Sequence, residues 1–164
     1  MTSTAVATTN VYAVYIKATP EAIWQAITDP EFNGRYGYMA PAEYELREGG
    51  AYRGFPNDAM RADGAPDVIL DGEVLECEPP RRLVQTWHAM FSPEIAAEPP
   101  TRLTWEIAPA FGETCKLTVT HETDGAPLTA EMTSGRHADA GGGWAWVISD
   151  LKSLLETGAS IGGA

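Results

Sequence analysis

Cysteine is scarce: Cys77 and Cys115 are the only two in 164 residues. Both lie in apolar, strand-like stretches, the setting of buried reduced thiols rather than of a disulfide framework, and no redox role follows. Basic residues are few, with 11 Lys and Arg against 23 Asp and Glu for a net charge of -12. Such a field repels phosphates and acidic headgroups, and the isolated pair Arg81-Arg82 makes no basic stripe, so nucleic acid and membrane surfaces are excluded as partners. No apolar run nears the ~20 residues needed to cross a bilayer, and the opening MTSTAVATTN has neither a basic start nor an apolar signal core. A cytoplasmic location is expected. Missing too are GxSxG, the P-loop, the Rossmann glycine fingerprint and CxxC. His88, His121 and His137 stand at none of the short spacings that build a metal site, so neither metal nor cofactor is expected.

What the chain does have is a foldable composition, 44% hydrophobic and 21% charged. These values are near globular averages and fit a single domain, placed at residues 11–158 between a disordered N-terminus (1–10) and a frayed tail (159–164).

Residues 11–18 (VYAVYIKA) alternate as a strand does. The segment TPEAIWQAITDP then carries Thr19 as N-cap, Pro20 at the first helical position and a stop at Asp29-Pro30, which predicts a helix over 20–28, with a second short one from Pro30. Strands are predicted at 43–47 and 51–55 around the turn Glu48-Gly49-Gly50, then at 67–77, 82–91, 102–109 and 115–122. Residues 55–66 read as a loop at the mouth of the fold, and 123–143 as a loose crossing with one helical turn near 128–133, ending in Gly141 to Gly143. From Trp144, steps of ~100° per residue gather Val147, Ile148, Leu151, Leu154 and Leu155 on one stripe and leave Ser149, Asp150, Lys152 and Glu156 outside it. Gly158 ends this helix. The expected fold is α+β: a curved antiparallel sheet of about seven strands wrapped around one long C-terminal helix, with two short helices after the first strand.

Five segments in order, ATPEAIWQAITDP with Tyr36 following, LREGGAYR, DGEVLECEPPRRLVQTW, TCKLTVTHE and GGGWAWVISDLKSLLE, resemble the START-like SRPBCC superfamily. Within it the chain is similar to the branch related to the C-terminal domain of the activator of Hsp chaperone ATPase. The resemblance implies a helix-grip fold with a cavity between helix and sheet, but no particular substrate. The activator proteins also carry a separate chaperone-binding domain, so a stand-alone domain is the expectation here.

Tyr36, Tyr52, Trp87, Trp105, His121, Trp144, Ile148 and Leu151 are the candidate lining of that cavity. Trp87 shares a strand face with Leu83 and Gln85, Trp105 one with Leu103 and Ile107; their indoles serve as core or as walls whose N–H groups orient a polar ligand atom. His121 shares a face with Leu117 and Val119 and is either a hydrogen-bonded core residue or, with Tyr52, a proton-transfer group. Trp146 falls on the polar side of the helix, where it either lies under the glycine-rich crossing or anchors a homodimer. Three functions stay open: binding a small hydrophobic molecule, cyclase or dehydratase chemistry through His121, and a co-chaperone-like contact with a chaperone.

Overall fold

A computed structural model describes residues 8–135 and 141–161. Strand β1 (Thr9–Ile16) begins two residues before the apolar alternation does. Thr9 and Asn10, assigned from sequence to the N-terminal tail, pair with Glu122 and His121, because backbone pairing extends past the side chains that betray it. Residues 1–7 and 162–164 of the expected termini, and His137, lie outside the described residues.

Helix α1 (Pro20–Thr28) starts where Thr19 Oγ1 accepts from the Ala22 N–H at 3.1 Å. Asp29 ends it and, through a carboxylate accepting the Glu31 N–H, begins α2 (Pro30–Asn33). A hairpin follows, β2 (Ala42–Tyr44) and β3 (Ala51–Gly54), both shorter than the alternation suggests. The segment read as a loop holds α3 (Asp58–Ala62), capped by Asn57 Oδ1 on the Met60 N–H. Then come β4 (Leu70–Glu78), β5 (Arg82–Ala89), α4 (Pro93–Ala96), β6 (Thr101–Pro109), β7 (Cys115–Glu122), α5 (Pro127–Thr133) and α6 (Gly143–Thr157). Gly158, left-handed, closes α6 with its N–H on the Leu154 carbonyl. No helix among the described residues is long and apolar enough to cross a membrane.

The seven strands form one open, curved sheet in the order β1-β7-β6-β5-β4-β3-β2, each neighbouring pair antiparallel. A register shift between Val74 and Glu76 helps it bend. Helix α6 lies in the hollow: Ile148, Leu151 and Leu154 are buried in one cluster with Leu103, Leu117 and Val119. This is the helix-grip fold. The two cysteines are free, Cys115 buried and Cys77 partly so.

Asp150 departs from the helical stripe. Placed on the polar side by its angle, it is 0% exposed, because its carboxylate accepts from the Gly37 N–H at 2.9 Å and from the Ile161 N–H. A periodicity reading sees the face turned to the sheet and not the loops that wrap the other side. Farther along, the Lys152 ammonium reaches the Tyr15 carbonyl and Glu156, both at 2.7 Å, while Glu156 accepts the Lys17 N–H at 2.8 Å. The last turns of the helix are thereby tied to the outermost strand, and the Lys152 hydrogen bond holds the Glu156 carboxyl below its ordinary range.

Candidate functional site

Helix α6 fills the hollow at one end only. Its last turns are held against β1 through Lys152 on the Tyr15 carbonyl, whereas Trp144 and Val147 of its first turns line a cavity of about 510 Å³ toward the β2–β5 end. The sheet side of this cavity is Ala42, Tyr44, Tyr52 and Trp87; the helix side is Trp144 and Val147; Tyr38, Met60, Phe91 and Met132 form the rim. The rings interlock at the inner end, with Trp87 and Trp144 centroids 5.9 Å apart and Tyr44 and Tyr52 4.7 Å apart.

The start of α6 depends on glycine. Gly141, Gly142 and Gly143 all have positive φ, and a Cβ on Gly143 would sit 2.2 Å from the Thr133 carbonyl oxygen. Only a residue without a side chain lets the end of α5 and the start of α6 approach so closely. The Gly143 N–H donates to the Tyr38 hydroxyl at 3.0 Å. The facing loop is held by its Gly37, whose N–H goes to Asp150 and whose carbonyl accepts the Trp146 indole N–H at 3.2 Å. Trp146 is thus engaged with its own chain, on the side where Gly142 passes close to it.

Most polar atoms on the lining are committed. The Tyr36 hydroxyl donates to the Ala26 carbonyl at 2.9 Å, Tyr44 to Gln85 Oε1 at 2.7 Å and Thr133 to the Thr129 carbonyl at 2.9 Å. Asn33 donates to the Ile27 and Ala42 carbonyls and accepts the Ala42 N–H. Among the described residues no charged side chain lines the cavity. Burial raises the phenols of Tyr36, Tyr44 and Tyr52 above their ordinary range, so all three stay protonated.

Of the eight residues nominated from sequence, Tyr36, Tyr52, Trp87 and Trp144 line this cavity; Trp105, His121, Ile148 and Leu151 lie behind it in the core. Strand alternation tells which face a side chain takes but not how far along the sheet the helix lies flush. Trp105 donates to Gln85 Oε1 at 3.3 Å and meets Trp144 edge-on, centroids 5.4 Å apart. His121 is 1% exposed, with Nδ1 accepting the Trp144 indole N–H at 2.9 Å and Nε2 within 2.8 Å of Thr101 Oγ1. Burial depresses its pKa to about 4. Tyr44 was missed, though the hairpin places it opposite Tyr52; Met60 and Met132 come from segments with no period to follow, and Phe91, expected as the end of a strand, lies two residues past the end of β5. Among the described residues no cluster of three or more His, Cys, Asp or Glu could hold a metal ion.

A family model described as "Activator of Hsp90 ATPase homolog 1-like protein" matches residues 17–156. No curated protein sequence matches the chain. Solved structures share its fold at low identity. CalU16 from Micromonospora echinospora is 20% identical, with a TM-score of 0.60 over 92% of this chain and 77% of its own. An HSP90 activator from Plasmodium falciparum is 19% identical, TM-score 0.64, over 91% and 96%. The Aha1 dimer from Colwellia psychrerythraea is 19% identical, TM-score 0.63, over 92% and 97%.

Proposed function

This chain belongs to the activator of Hsp90 ATPase homolog 1-like family, and we propose that its own role is to bind a small, uncharged, hydrophobic molecule in the cavity under the first turns of α6. The observation that carries this reading is the cavity itself: about 510 Å³, walled by aromatic rings, with no charged lining residue among the described residues. Its size falls within the ~300–1,000 Å³ of small-molecule sites. An ionised ligand would lose its hydration there without gaining a counter-charge, and the net charge of -12 disfavours anions further.

Catalysis through His121 has no support in this arrangement, since both ring nitrogens are occupied and the residue lies behind the lining. A chaperone contact rests on the family description alone; stimulation of an Hsp90-type ATPase by the purified chain would support it.

The binding reading is tested by calorimetry and thermal shift with neutral tricyclic aromatics and long-chain alcohols. At a ligand concentration a hundred times Kd, stability should rise by about 2.7 kcal/mol. Ala42→Phe, which pushes a ring into the space from β2, should abolish the effect while leaving the fold intact by circular dichroism. If no neutral apolar compound binds the wild-type protein, the reading is wrong.

A further inference from the structure

Among the described residues, the polar inventory of the cavity leaves few hydrogen-bonding protons unspent. Tyr36, Tyr44 and Thr133 have each given theirs to a protein acceptor, Asn33 is saturated, and the Trp144 indole N–H is held by His121. Tyr52 differs. It is 4% exposed and lines the cavity beside the Trp87 indole. A phenol O–H is a stronger donor than an indole N–H, so the Tyr52 hydroxyl is the donor that this end of the cavity offers first. Among the described residues no protein acceptor takes that proton. A hydroxyl with an unused proton, withdrawn from bulk water, costs free energy unless something accepts it.

We infer that Tyr52, beside Trp87, is the polar anchor of the site, and that its ligand is a planar, neutral compound bearing a carbonyl-type acceptor oxygen. The planarity follows from the walls, since Tyr44, Tyr52, Trp87 and Trp144 present rings rather than branched aliphatic side chains toward this end. The inference rests on the binding function proposed above and adds the chemistry that would select the ligand.

The pair 9-fluorenone and fluorene isolates the effect, because the two have nearly the same shape and differ in one oxygen. The wild-type protein should bind 9-fluorenone roughly 3- to 10-fold more tightly than fluorene, the range of one net hydrogen bond. The infrared carbonyl stretch of bound 9-fluorenone should move to lower frequency. In Tyr52→Phe, fluorene affinity should stay the same, the preference should vanish and the stretch should return to its apolar-solvent position. Equal binding of both compounds by the wild-type protein, or a preference that survives Tyr52→Phe, overturns the role of Tyr52 and leaves the binding reading standing. Failure of both compounds to bind overturns the two together.

Discussion

The Trp144 indole N–H donates to His121 Nδ1 at 2.9 Å, and that bond decides the state of the imidazole. Nδ1 must be the unprotonated nitrogen, so Nε2 carries the hydrogen and donates to Thr101 Oγ1 at 2.8 Å, which in turn donates to the Trp87 carbonyl at 2.6 Å. A relay of three bonds thus joins the first turn of the gripping helix to the sheet. Trp144→Phe preserves most of the ring but leaves Nδ1 buried without a donor, and should lower unfolding stability in urea by roughly 1–3 kcal/mol. A loss below a few tenths would mean that the relay contributes nothing.

The same relay predicts acid sensitivity. In the unfolded chain His121 takes a proton near its ordinary value of 6.5, whereas in the folded protein burial delays protonation to about pH 4. The unfolded state therefore binds more protons between those values. The stabilisation is complete above pH 6.5 and is lost as pH falls toward 4, about 3 kcal/mol over the window. Urea titrations from pH 7.5 to 4 should show this slope in the wild-type protein and a shallower one in His121→Gln. Identical slopes would assign the acid sensitivity to other groups.

Asp150 holds the loop that faces the cavity. Asp150→Ala strips the Gly37 and Ile161 amides of a charged acceptor, at an expected cost of about 3 kcal/mol. Hydrogen exchange at the Gly37 amide should quicken more than exchange in β6. Unchanged protection at Gly37 would show that the loop is held by other means.

Gly143 should tolerate nothing larger. Its φ of +65° and the 2.2 Å approach of the Thr133 oxygen to a Cβ make Gly143→Ala destabilising by more than about 2 kcal/mol. Gly112→Ala, at a positive φ with open space around it, is the control and should cost less. Equal losses would remove the close approach as the cause.

The fold was legible because its signals are local and redundant. Thr19 and Pro20 announce α1, Gly158 ends α6, and β7 alternates without interruption from Cys115 to Glu122. The site was half legible. Trp87 was nominated from its strand face and Tyr52 as a partner for His121, but Trp105 and His121, nominated from strand faces as well, are buried outside the cavity lining. That distinction depends on the tilt of a helix against strands far away in sequence, which no period records. Asp150 was misplaced for a related reason, since its partners Gly37 and Ile161 come from irregular segments.

The bonds from Lys152 and Glu156 to Tyr15 and Lys17 give the end of α6 a protective duty. Outermost strands are templates on which neighbouring molecules add and grow into fibrous aggregates, unless their backbone groups are already occupied. Damage to that final turn would therefore show first as poor solubility in concentrated solution, with affinity for small molecules preserved.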